Sequence, residues 1–180
     1  MLQLQSLSKT FVAGDAACGT SVRVLGGVCL TVSSGQIVVL SGEHGSGKTT
    51  LLRCMAGLLR PDAGVRRTLD ADAVRYWPGA YDWRRAAVRD AARPCRVHLL
   101  DEPTFDFPGA RAEFCATLRR LCVMRHAVVI ATSLPLREFT RIAPRETRYY
   151  RMDGGRLVAL MPARRPAVSH ATELSVHAFG

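Results

Sequence analysis

Residues 41–53 read SGEHGSGKTTLLR, and no other stretch so narrows the folds open to this chain. Gly42, Gly45 and Gly47 remove Cβ atoms where the backbone must curl tightly, so its N–H groups can turn inward around an anion. Gly42-x-x-x-x-Gly47-Lys48-Thr49 meets the phosphate-loop pattern at every defined position. That pattern carries weight only between a buried strand and a helix, and both are readable. Ile37 to Leu40 is an unbroken apolar run, while Leu51, Met55, Leu58 and Leu59 recur on one helical face, with Pro61 and Gly64 closing the helix. Gly42, Glu43, His44, Gly45, Ser46, Gly47, Lys48, Thr49 and Thr50 are therefore the candidate nucleotide cradle. Lys48 would reach the β- and γ-phosphates, and the Thr49 hydroxyl would hold Mg²⁺.

Residues 97–104, VHLLDEPT, offer the other half of such a site. An apolar strand ending in Asp101 would set that carboxylate beside the cation. Glu102 would stand ready to take a proton from an attacking water. The strand comes after the phosphate loop in the order an open α/β sheet requires, so two surface acids on a capped strand explain less.

Around these motifs, strands alternate with helices, which predicts a mainly parallel sheet with an antiparallel addition at the N-terminus. MLQLQSL alternates apolar and polar residues and reads as a strand over 2–7. Residues 14–20 read as a loop, and VRVLGGVCLTV as a second strand interrupted at Gly26 and Gly27 by a turn or bulge. Beyond RPDAGVRR the pattern is poor until DWRRAAVRDAAR, a basic helix. GARAEFCATLRRLCVM comes next as a helix with Phe114, Leu118, Leu121 and Cys122 turned to the core. HAVVIAT is a buried strand, LREFTRI a short helix, and TRYYRMDGGRLVAL a hairpin with a Gly-Gly turn.

The 180 residues suffice for one domain with a full core. The formal net charge is +10, and the cations are nearly all arginines, since Lys9 and Lys48 are the chain's lysines. The arginines are spread through the second half, as on a solvated basic surface; a nucleic-acid stripe would gather them, and attraction to an anionic membrane face stays open. Six cysteines show no CxxC pair or metal-ligand spacing, and no secretory signal is read, so they are expected to be reduced and mostly buried. No apolar run reaches the roughly 18 residues that span a bilayer, so any membrane role is expected to be peripheral.

Together, Gly42 to Thr50, the LLRCMAGLLRPDAG beyond it, and Leu99-Leu100-Asp101-Glu102-Pro103-Thr104 resemble the ATP-binding subunit of an ABC transporter. The N-terminal strands and the MDGGRLV hairpin are similar too, so the resemblance covers residues 1–160, with 161–180 left as a loose tail. Pro94 before LLDEP, and the segment VVIATSLPL, resemble the small ATPase of the cytochrome c maturation haem exporter within that family. The resemblance implies an α/β P-loop NTPase fold, ATP and Mg²⁺ as cofactors, and Thr49 and Asp101 as the metal-side groups. Glu102 would be the catalytic base. It also implies integral membrane transporter subunits as partners, a homodimer or heterodimer of ATPase subunits, and a peripheral place on the cytoplasmic face of the inner membrane.

Several family features are missing. Counting back from Asp101, the LSGGQ signature falls on WPGAY, residues 77–81, where Pro78 has neither the hydroxyl nor the N–H to offer. The glutamines are Gln3, Gln5 and Gln36, all upstream of the phosphate loop, so the family's Q-loop glutamine has no counterpart. The family's histidine falls on Ser133, with His126 at the wrong end of its strand, and the aspartate after DEPT falls on Pro108, with Asp106 nearby. Lys48 and Asp101 stand 53 positions apart, about half what the family implies. The helical arm over 65–93 is thus expected to be reduced to its last helix, over 82–93. Three functions are open: an exporter ATPase subunit for haem, a degenerate module that binds ATP with little turnover, or a soluble P-loop ATPase acting on nucleic acid. Only the charge favours the third.

Overall fold

The computed structural model describes residues 1–13, 19–68, 73–79, 96–105, 108–136, 139 and 147–160. The elements in chain order are β1 (Leu2–Ala13), β2 (Thr20–Val32), β3 (Ile37–Ser41), α1 (Lys48–Ala56), β4 (Ala63–Thr68), β5 (Val74–Trp77), β6 (Val97–Asp101), α2 (Ala110–Val123), β7 (Ala127–Thr132), β8 (Arg148–Asp153) and β9 (Arg156–Leu160). They form a three-stranded antiparallel sheet, β2-β1-β4, and a six-stranded sheet, β5-β6-β7-β3-β8-β9. Within the larger sheet every pair is parallel except β8 with β9.

The central strands β3, β6 and β7 are buried along their whole length, as strands covered on both faces must be. Successive side chains point to opposite faces, and the two cores divide accordingly. Val38, Leu40, Leu99 and Val129 face α1 and the antiparallel sheet, joining Leu51, Met55, Leu4 and Leu30. Ile37, Val39, Leu100 and Ile130 face the other way, against Phe114, Leu118 and Leu121 of α2 and against Phe139.

Some expectations change. The first helix is shorter: Gly57, at φ 77°, takes the left-handed conformation and its N–H returns to the carbonyls of Arg53 and Cys54. Leu58 consequently lies past the helix and is 66% exposed, while Leu59 still packs on the core. The Arg66 side chain of β4 donates to the Met55 carbonyl at this helix end. The segment that reads as patternless carries β4 and β5, short strands in which arginine interrupts the apolar residues. Strand β1 runs on to Ala13, well past the expected end. The interruption at Gly26 and Gly27 is a bulge within a continuous β2, because Leu7 pairs with Val28 and Lys9 with Leu25. Of the described cysteines only Cys54 is buried; Cys29 is exposed and Cys115 and Cys122 are intermediate. The basic helix over 82–93, residues 14–18, most of LREFTRI and the tail over 161–180 lie outside the described residues.

Candidate functional site

Strands β3, β7 and β6 lie side by side and end level, Ser41 opposite Thr132 and Asp101 opposite Ala131. The segments leaving these strands therefore meet at one edge, the carboxyl edge where open α/β sheets bind ligands. The phosphate loop leaves β3, Ser133 leaves β7, and Glu102 leaves β6. Gly47 turns the loop into α1 at φ 100°, and a Cβ there would sit 2.8 Å from the Val24 carbonyl of β2, so only glycine fits. No acid occupies the first turn of α1, which leaves the positive end of the helix dipole for a ligand.

Lys48 is buried and heavily engaged. Its Nζ donates to the Gly42 and Glu43 carbonyls at 2.8 Å each and to Ser133 Oγ at 3.3 Å, and lies 3.5 Å from Glu102 Oε1. Thr49 Oγ1 donates to Asp101 Oδ1 at 3.1 Å. From the other side, the Tyr76 hydroxyl donates to Asp101 Oδ2 at 2.6 Å. Burial and then the bond to Asp101 push the Tyr76 phenol above its usual pKa. Glu102 leaves β6 in the left-handed region, φ 48°, while its N–H bonds to the Ala131 carbonyl at 2.8 Å. Both its carboxylate oxygens are taken by Ser133, one by the N–H at 2.7 Å and one by Oγ at 2.5 Å.

Lys48, Thr49, Asp101 and Glu102 are thus brought together, and Ser133 joins them. Glu43, His44 and Gly45 form the exposed tip of the loop, and Thr50 is half-buried in the first turn of α1. In front of the loop opens a cavity of about 760 Å³ lined by Gly42, His44, Ser46, Ser133, Arg151 and Asp153. Lys48, Thr49, Asp101 and Glu102 stand outside that lining. The residues fit the groups they are expected to take. Ser46 Oγ is buried without a hydrogen-bond partner, as a cradle awaiting an acceptor would leave it. The Thr49 hydroxyl and Asp101 carboxylate are the hard oxygen donors that Mg²⁺ prefers. Among the described residues no group of three or more His, Cys, Asp and Glu gathers, so a cation here would take its other ligands from phosphate and water.

The segment WPGAY, where the count back from Asp101 puts the signature, opens at a strand end: Trp77 closes β5, paired in parallel with Leu100, and Gly79 packs against the end of β6 and Glu102. Tyr81 and Asp106 lie outside the described residues. His126 precedes β7, as expected of a strand-start residue, and its ring stacks on buried His98 with Nδ1 3.0 Å from His98 Nε2. Sequence reasoning missed Tyr76 altogether and saw Ser133 only as a missing histidine. The run VRYW before Pro78-Gly79, rich in strand-forming residues, was the available signal for β5.

A family profile described as ABC transporter matches residues 25–89. The cytochrome c biogenesis ATP-binding export protein CcmA of Novosphingobium aromaticivorans is 33% identical over 170 aligned positions, covering 69% of this chain and 89% of that protein. Those positions outnumber the residues that this chain contributes, so the relative carries residues inside the matched span that are absent here. The aliphatic sulfonates import ATP-binding protein SsuB of Granulibacter bethesdensis is 38% identical over 45% of this chain. The chain spans only 21% to 36% of the length of the sulfonate-, phosphonate- and hemin-import relatives that it matches. Among solved structures, the ADP- and phosphate-bound dimer of the ATP-binding cassette MJ0796 shares the fold. Its TM-score is 0.65 at 16% identity, over 87% of this chain and 96% of that one.

Proposed function

Because the chain belongs to the family of ABC transporter ATP-binding proteins, we propose that it binds ATP with Mg²⁺ at residues 42–50 as the nucleotide-binding subunit of a membrane exporter. The observation that carries this reading is the convergence of Lys48, Thr49, Asp101 and Glu102 at one sheet edge around a glycine-built anion cradle. In the proposed assembly, Lys48 exchanges its bonds to the Gly42 and Glu43 carbonyls for phosphate oxygens. Thr49 and Asp101 would hold Mg²⁺, which would offset phosphate charge. Glu102 accepts the proton of a water that attacks the γ-phosphorus as the bond to the bridging oxygen breaks and ADP departs. Haem export for cytochrome c biogenesis is the finer proposal, supported by the breadth of the match to CcmA. The subunit would pair with a second ATPase subunit and sit at the cytoplasmic face of the membrane; no helix among the described residues is long and apolar enough to cross one.

A second reading, slow or absent turnover, is favoured by the clasp on Glu102. A base whose two oxygens are held by the Ser133 N–H and Oγ must give up bonds before it can take a proton. The missing family contacts compound this, since each charge-stabilising donor lost costs about 10²–10³ in rate. The test is co-purification from a membrane extract together with the ATPase rate of the complex. A stable integral membrane partner supports the exporter reading. A chain that remains monomeric and partnerless contradicts it, and a fast rate abolished by Glu102→Gln contradicts the slow-turnover reading.

A further inference from the structure

Resting on the nucleotide reading, we propose that Tyr76 is a positioning residue for the cation side of the site, holding Asp101 so that one oxygen is left to Mg²⁺. Tyr76 lies on β5 opposite Leu99 of β6, on the face that packs against α1. Its hydroxyl reaches Asp101 Oδ2 at 2.6 Å, the short distance of a hydroxyl donating to a charged carboxylate. The other oxygen, Oδ1, faces the Thr49 hydroxyl at 3.1 Å. The carboxylate is therefore divided: Oδ2 is committed to the sheet, and Oδ1 is aimed at the second oxygen donor, where a cation would lie.

A rotating carboxylate would present either oxygen, or both, to a cation; one pinned by a phenol presents a single oxygen in fixed orientation. Groups that orient ligands in this way typically contribute 10–100-fold to metal affinity.

The experiment measures ATP affinity of purified wild type and Tyr76→Phe, each in Mg²⁺ and in EDTA. Phenylalanine keeps the ring against α1 and removes only the hydroxyl. Expected is a loss of about tenfold in affinity for ATP with Mg²⁺ in the variant, with unchanged affinity in EDTA. The unchanged EDTA value shows that the variant is folded and its phosphate loop intact. Equal Mg²⁺ enhancement in both proteins would overturn the role of Tyr76 while leaving the nucleotide site standing, as would an equal loss with and without Mg²⁺. A wild type that binds no ATP under either condition would overturn the nucleotide reading and this proposal with it.

Discussion

Glu102 and Gly47 show how much of the site rests on single residues. Glu102 holds a left-handed backbone conformation that side chains other than glycine adopt rarely, and its carboxylate is fixed by Ser133 on one side and approached by Lys48 on the other. Glutamine keeps the shape but cannot accept the proton, so Glu102→Gln should leave ATP binding little changed. Any hydrolysis should fall by about 10²–10⁴, the usual worth of a general base. Radiolabelled phosphate release checks it; a rate equal to wild type would remove Glu102 from the chemistry. Gly47→Ala meets both a left-handed φ and the Val24 carbonyl, so a destabilisation of about 1–3 kcal/mol is expected, with weaker ATP binding. Urea unfolding measures the first and nucleotide titration the second. The phosphate loop and Asp101 were legible in sequence because each is a local motif that needs only its own neighbours. Tyr76 was not, because its contact with Asp101 arises from the pairing of β5 with β6, between residues far apart in the chain.

Elements divide in the same way. Strands β3 and β7 announce themselves as apolar runs because both of their faces are covered, and β6 does so around His98, whereas β4 and β5 are short and carry arginines that mask their period. The end of α1 was misjudged because Leu58 keeps the helical spacing after Gly57 has already turned the chain. Helix α2 covers the sheet through Phe114, which is fully buried, so Phe114→Ala should cost about 3–5 kcal/mol in urea unfolding. The antiparallel sheet is tied by Asp62, which accepts from Lys9 Nζ and the Thr10 N–H at 2.7 Å each. First the Lys9 bond and then the Thr10 bond lower the Asp62 pKa below its ordinary 3.8. A depressed folded-state value means that this stabilisation is present above pH 3.8 and is lost as pH falls through the lower, folded value. Asp62→Ala should therefore melt below wild type at neutral pH, with the gap closing in acid. A gap that persists unchanged well below pH 3.8 would show that the carboxylate charge is not its source.

At the scale of the whole molecule, the two sheets and two helices of the described residues bring the ends of three buried strands to one edge, and that convergence makes separate motifs into a site. The family's fold was legible because motif order fixes strand order. The residues that a partner subunit would engage were less so, since they depend on contacts beyond this chain. Everything proposed for the molecule depends on Lys48 and the loop around it binding ATP. Isothermal titration of ATP with Mg²⁺ into wild type and Lys48→Ala tests this directly. Removing a contact to a charged group forfeits about 1.5–3 kcal/mol, so saturable binding by wild type and at least about tenfold weaker binding by Lys48→Ala are expected. Equal affinities in the two proteins, or no binding by wild type, would contradict it.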